Sequence, residues 1–385
     1  HKAEMCHRHY KGLKLAGAYA FADNSPDVTQ DHLDYAISVI EDSGEAFHTL
    51  MRKQGPYERL AHYLADCDNE VTQHELLEEL PFYKGSEGQR KELMSLAMSF
   101  GYKNNIIIKR RVLDEIEFFV GETLIETDLN KLTVAISPDI AHNFEFHDPK
   151  PSFNLLHKLT TAPQLHYTAH GFVNGHRKGE NVIQGFDLII LDCDGDAPIS
   201  MVKNLLESYT FLISTTKRHT EEINRFRLIL PMSHKLKLPS SEYSKFMSNV
   251  FEWLPFPVDK AAKDIARKWA SHPGYYEYNN GNVVDATMFI PETKRSDETK
   301  AQINVKGLSN IERWFKTHTT KGNRANHLYR YGMVLIDSNV FTHIGEIVEK
   351  LEDFNNSLET PLPEEQFRSS TVFSISKEFQ KRGGK

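Results

Sequence analysis

Cysteine is scarce in this chain: Cys6, Cys67 and Cys193 are the only three in 385 residues, and no two form a CxxC pair. That excludes a disulfide framework and a zinc ribbon, and it points to a reducing compartment. Long apolar runs are also missing. Nothing approaches the ~20 residues that span a bilayer, and no charged-then-apolar leader opens the sequence, so no membrane partner and a cytoplasmic location are expected. Basic excess is absent as well. A formal net charge of −7 argues against a protein that coats nucleic acid indiscriminately, because phosphate binding rests on clustered Lys and Arg. No internal repeat is visible. With 39% hydrophobic and 26% charged residues, the composition fits a globular chain of about two to four domains.

Residues 10–53 read as two helices, the second being "TQDHLDYAISVIEDSGEAFHTLM", with Thr29 as its cap and Leu33, Ala36, Ile37 and Ile40 at helical spacing. This opening reads as mid-domain helix, so the chain is expected to be an excised piece of a longer polypeptide. From Pro56 to about Ile136, three short helices precede two strands, "NIIIKRR" and "EIEFFVG", an order that suits a winged-helix-like module over 56–140. Its wing would carry Lys109, Arg110 and Arg111. A small α+β interaction domain that touches no DNA fits the same residues. From about Pro151 to Pro291, strand-like runs such as "QLHYTAHGFV", "FDLIILDCD", "YTFLIST", "RFRLILP" and "DATMFIP" alternate with helical ones, including "DKAAKDIARKWASH". "PETKRSDETKAQ" then reads as a linker, and helices continue to a basic tail.

The segment "FDLIILDCDGDAP" runs an apolar strand into Asp192, Asp194 and Asp196. Strand alternation puts Asp192 and Asp194 on one face about 7 Å apart, with Cys193 on the other. Two such carboxylates repel unless a cation sits between them, and Mg²⁺ or Mn²⁺ prefers one or two carboxylates plus water and substrate phosphates. That is half of a two-metal phosphoryl-transfer site. Other readings compete: a polar turn after a core strand, or a calcium loop, which lacks its Gly at Ala197 and its Glu at Lys203. A haloacid-dehalogenase-like phosphatase is a further rival. It would use Asp192 as nucleophile, match Asp194 and Gly195, and take Ser214 or Thr215 from "FLIST".

Downstream, alternation in "NRFRLILP" places Arg225 and Arg227 on one face of a strand. Paired guanidinium groups suit a triphosphate whose remaining charge is met by metal. A two-metal site wants a third acid. In "FPVDKAAKDIARKW", Asp259 is the choice, although it could equally be a helix N-cap, and Asp264 reads as the i,i+4 partner of Lys268.

"IILDCD", a basic loop ending in His219, "RFRLILP", and "VD" followed by Arg267 together resemble the archaeo-eukaryotic primase superfamily, specifically phage and plasmid primase-polymerases. Their motifs are an hhhDhD strand, an sxH element and an hD element. Here Lys217 stands two before His219, where the family has a small residue. The resemblance implies that Asp192, Asp194 and Asp259 hold two Mg²⁺ or Mn²⁺ ions. It also implies that Lys217, His219, Arg225, Arg227 and Arg267 contact a nucleoside triphosphate. "HGFVNGHRKGENVIQG" resembles the approach to the first motif and puts Arg177 and Lys178 near nucleic acid. "GNRANHLYRYGMVLIDS" looks like the helical primase C-terminal domain, with Arg324 in its best-matched stretch.

The expectation is therefore an α+β chain of four parts. Residues 1–55 form a helical segment, the tail of an upstream helicase-like domain. Residues 56–140 form the winged-helix-like module, 150–295 a primase-polymerase core of RRM-like type, and 305–385 the helical C-terminal domain. The implied partners are single-stranded DNA template and primer, ribo- or deoxynucleoside triphosphates and a helicase domain, in a bacterial host cytoplasm if the chain is phage-encoded. A non-enzymatic replication initiator that binds duplex origin DNA through the winged helix remains a rival beside the phosphatase.

Overall fold

The computed structural model describes residues 2–51, 54–139, 142–303 and 309–383 of a mixed α+β chain. The chain divides into two compact units, 1–60 and 61–385. In the first, α1 (Lys2–Ala22) and α2 (Gln30–Met51) form a hairpin closed by small residues, with Ala16, Ala20 and Ala36 buried. Thr29 and His32 exchange hydrogen bonds at the entry to α2, so the expected cap residue occupies the helix start.

The second unit begins inside α3 (Pro56–Asp66), then adds β1 (Val71–Thr72), α4 (Gln73–Glu79), α5 (Glu87–Lys103), β2 (Ile106–Leu113) and β3 (Ile116–Thr123). These three strands form a sheet of order β1-β3-β2. Both α4 and α5 start in capping boxes, Thr72 with Glu75 and Ser86 with Gln89, which satisfy amide groups left free at a helix start. Gly121 lies where a Cβ would fall 2.5 Å from the carbonyl carbon of Leu64, so β3 can approach α3 only with glycine there.

The centre follows with β4 (Ile125–Glu126), β5 (Ala135–Ser137), β6 (Glu145–Phe146), α6 (His157–Thr160), β7 (His166–Thr168), β8 (Gly171–Phe172) and β9 (Val182–Ile183). Then come β10 (Phe186–Asp194), α7 (Ile199–Leu206), β11 (Phe211–Thr215), β12 (Arg225–Leu236), α8 (Ser240–Trp253), β13 (Trp269–Ala270) and β14 (Tyr276–Asn279). An antiparallel sheet of order β10-β12-β11-β14, with β4 paired to β12, is the platform. One face, bearing Leu188, Ile190, Leu212 and Ile229, packs on Tyr167 of β7 and Trp269 of β13, which belong to a second sheet of order β13-β7-β5-β6. The other face, bearing Ile189, Leu191, Cys193, Ile213 and Leu228, packs on α7 and α8. Burial on both faces explains why β10 and β12 read as nearly continuous apolar runs.

Three sequence expectations are corrected here. The supposed linker is α9 (Lys294–Ile303), started by the Thr293 hydroxyl, which accepts from the Ser296 amide. "DKAAKDIARKWASH" is no helix but a 3₁₀ turn over 260–263 followed by β13. Its apolar residues Ala262, Ile265, Ala266 and Trp269 are still buried, but Asp259 and Asp264 each bind the amide two residues on and break the chain into turns. "DATMFIP" likewise forms a 3₁₀ turn over 286–288, because Asp285 accepts from the Thr287 amide.

The chain ends with α10 (Asn310–His318), α11 (Arg324–Asp337), α12 (Ile344–Asn356), α13 (Glu364–Gln366) and, after a π turn, α14 (Phe373–Lys381). These helices share the core of the central sheet: Trp314, Leu328, Val334 and Ile375 belong to the same cluster as Val202 and Leu228. The buried Arg330 donates to the carbonyl oxygens of Asn204 (2.8 Å) and Leu205 (3.2 Å) at the end of α7, and Trp314 Nε1 donates to Leu205 as well (3.0 Å). Among the described residues no helix is long and apolar enough to cross a membrane.

A shared core predicts shared unfolding. Arg330→Leu leaves the Asn204 carbonyl without its donor and should destabilise residues 61–385 by about 2 kcal/mol. Calorimetry should show the C-terminal helices and central sheet melting in one transition, shifted down together. A separate early transition for the C-terminal helices would sink the idea.

A candidate active site on the carboxylate strand

The register of β10 decides where its acids point. Phe186 pairs with Leu236 but Leu188 with Pro231, so the ladder breaks at Asp187 before running regularly to Asp194. A slip of one residue would send every side chain beyond it to the opposite face. As built, Asp192 lies opposite Arg227 and Asp194 opposite Arg225. After Asp194, Gly195 turns the chain at φ 104°, a left-handed conformation that glycine adopts without steric penalty.

The result is an interleaved set of charges. Asp192 receives Arg227 Nε at 2.9 Å and Arg267 at 3.4 Å, Asp259 receives Arg267 at 3.2 Å, and Asp194 receives Arg225 at 3.3 Å. The Asp259 amide also donates to the Asp192 carbonyl (2.9 Å), so the third acid is tied to the strand by backbone as well as by a common arginine. Asp192 and Arg227 are the most sheltered pair, with side chains 16% and 12% exposed, while Asp194 is 56% exposed. Burial works against the charge of Arg227, but Tyr167 and Asp192 outweigh it and raise its pKa above the ordinary guanidinium value.

His219 joins this set through the backbone: its Nδ1 accepts the Arg225 amide at 3.1 Å. That bond fixes a neutral imidazole with its proton on Nε2, leaving Nε2–H as a donor. Lys217 is exposed on the same loop. Arg177 donates to the Ala266 carbonyl (2.7 Å), next to Arg267, while Lys178 makes only an exposed pair with Glu180 (3.6 Å). Burial, and then the Arg177 guanidinium, lowers the pKa of Lys268, which has no ion-pair partner among the described residues.

Other candidates lie elsewhere and are engaged. Lys109 pairs with Glu242 (2.7 Å), Arg110 with Glu117, and Arg111 with Glu70 (2.5 Å). Arg324 caps carbonyl groups of Lys321, Thr360 and Pro361. The expected Asp264–Lys268 pair gives way to an Asp264 bond with the Ala266 amide.

For a divalent ion, the donors fit in kind: hard carboxylate oxygens on one face suit Mg²⁺ or Mn²⁺, which take one or two carboxylates and complete their shells with water and phosphate. Among the described residues no three His, Cys, Asp or Glu side chains converge as a ready-made cage. Arginine groups hold the Asp192 oxygens instead, so metal binding requires Arg227 and Arg267 to exchange partners.

Sequence reasoning passed over Asp187, an acid inside an apolar run. It is buried, both oxygens accept from the Thr133 amide, and Lys235 reaches the adjacent Thr133 hydroxyl. It also passed over "YYEYN", whose alternating aromatics signal β14. Compared with family models, curated proteins and solved structures, the chain matches none.

Burial pushes the Asp187 pKa up to about 6 from 3.8, against the opposing bonds of Thr133. A raised carboxyl pKa means that the folded state holds the proton longer, so stability falls as pH rises from about 4 to 6, by about 3 kcal/mol in all. Asp187→Asn keeps an acceptor for Thr133 and removes the titration. Urea unfolding between pH 4 and 7 should show a flatter profile in the variant, and an unchanged slope would contradict this assignment.

Proposed function

We propose that the chain is a template-directed nucleotidyltransferase, a primase-polymerase that joins nucleotides to a 3′-hydroxyl during replication. The observation that carries this reading is the alternation of three carboxylates with three guanidinium groups at the end of one sheet, beside a histidine of fixed tautomer. A site for metal-bound triphosphate needs both signs of charge within a few ångströms, since carboxylates take the cation and guanidinium groups take the phosphates. Without substrate the two sets neutralise one another. If these carboxylates held a metal and these guanidinium groups a triphosphate, each would have a new partner and no buried charge would be left unmatched.

Asp192, Asp194 and Asp259 would hold Mg²⁺ or Mn²⁺, which when bound acidifies the attacking hydroxyl and offsets charge on the leaving pyrophosphate. Arg225, Arg227 and Arg267, once released, bind the phosphate oxygens and orient the chain for in-line attack. His219 donates Nε2–H to a phosphate oxygen while its Nδ1 stays anchored to the Arg225 amide. Lys217 supplies mobile positive charge at the rim. Arg177 and Lys178 flank this region, and single-stranded template and primer, with ribo- or deoxynucleoside triphosphates, are the ligands the reading requires.

The phosphatase alternative loses support because Ser214 is buried against Thr160 Oγ1 (2.6 Å) and the Thr215 hydroxyl donates to the Tyr275 carbonyl, so neither is free to hold a phosphate. The initiator alternative gains little from the basic strand, because Lys109, Arg110 and Arg111 each already pair with a carboxylate.

Nucleotide incorporation on a single-stranded template, primed and unprimed, with Mg²⁺ or Mn²⁺, tests the proposal. Asp192→Ala/Asp194→Ala should lower incorporation by at least about 100-fold with circular dichroism unchanged, and His219→Ala should lower it less. Full activity in the double variant would defeat the assignment.

A further inference from the structure

Across the central sheet one row of residues, all on the same face, runs Asp192, Arg227, Ser214, Tyr276. The next row, on that face as well, ends in Tyr278 opposite Leu212. The row joins the candidate carboxylates to the edge strand β14 over three strand spacings, about 14 Å. There, Tyr276 and Tyr278 are 44% and 39% exposed, large for aromatic side chains two residues apart on a face that elsewhere carries the buried Leu188, Ile190, Leu212 and Ile229. Their rings are not loose. Tyr276 stacks on His157 with centroids 4.3 Å apart and planes 11° from parallel, and Tyr278 leans on the buried Phe153.

We infer that Tyr276, Tyr278 and His157 form a stacking platform for single-stranded nucleic acid, carrying the bases two or three nucleotides away from the reacting end. This rests on the nucleotidyltransferase reading for the strand's direction but not for its binding. Pre-stacked rings present π faces without having to be ordered on binding, and stacking on aromatic side chains accepts any base. Charge favours a polyanion over a neutral peptide or sugar. Lys158 is exposed beside His157; next to Arg267, which reaches Asp192 at the other end of the row, come Lys268, with no ion-pair partner among the described residues, and Arg177, which donates to the Ala266 carbonyl. The edge position of β14 matters as well: a flexible strand can lie over it, whereas a stiff duplex cannot fold its bases onto the rings.

Fluorescence anisotropy of the full chain with a labelled oligothymidylate, and with a duplex of equal length, tests the platform without metal or nucleotide. Single strand should bind more tightly than duplex. Tyr276→Leu/Tyr278→Leu, which keeps apolar cover over Phe153 but removes the rings, should weaken single-strand binding about tenfold per ring. Tyr276→Phe/Tyr278→Phe should retain it. Incorporation by the wild type is measured alongside, so the platform is read from binding without metal or nucleotide and the polymerase reading from synthesis. Undiminished binding by the leucine variant, equal loss in the phenylalanine variant, or preference for duplex would each overturn the inference. Tight tyrosine-dependent binding in a protein that incorporates no nucleotide would keep the platform and remove the polymerase.

Discussion

The pairing of Asp192 with Arg227 and of Asp194 with Arg225 is the constraint on which the rest of this structure depends. The sheltered Asp192 and Arg227 are tolerable at the end of a buried sheet only because each faces its opposite, since an unmatched buried charge is severely destabilising, while the half-exposed Asp194 pairs at less stake. That requirement fixes the register of β10 against β12, and the register in turn fixes which apolar residues face the second sheet and which face α7 and α8. The break at Asp187 lets the strand meet both demands, since it adjusts the ladder before the charged end begins.

Much of this was legible in the sequence. Alternation in "IILDCD" and "RFRLILP" located both strands and put the acids on one face and the arginines on one face. What alternation could not give was that the two faces are the same one, because register is a property of two segments and each was read alone. Asp259 was legible as a cap and as a candidate site acid: its Oδ1 accepts from the Ala261 amide as a cap does, while Oδ2 receives Arg267, the guanidinium that also reaches Asp192. The misread stretches share a cause. In "DKAAKDIARKW" and "DATMF", aspartates bind amides two residues on, and those local bonds outweigh a helical or extended pattern that the apolar spacing alone suggests. The polar α9 escaped notice for the opposite reason: its few inward groups are small hydroxyls, Ser296 and Thr299, which carry no apolar period.

Basic residues illustrate a further limit. "KRR" at 109–111 and "RFR" at 225–227 look alike in sequence, yet every cation of the first is held by a glutamate remote in sequence or across the hairpin, and the second lies opposite aspartates on a neighbouring strand. The chain's negative balance hides this pairing. Net charge counts the ions but does not say which are spoken for.

The union of α7 with α10 and α11 has a consequence for how such a chain can diverge. Arg330 and Trp314 hold the carbonyl end of the helix that leaves the Asp194 turn. The C-terminal helices are therefore not a cassette that can be exchanged between proteins while the sheet stays the same. A change in the volume or tilt of α7 has to be met by a change in α10 or α11, so in related chains these segments should vary together, and a recombination joint between them would separate residues that only fit each other.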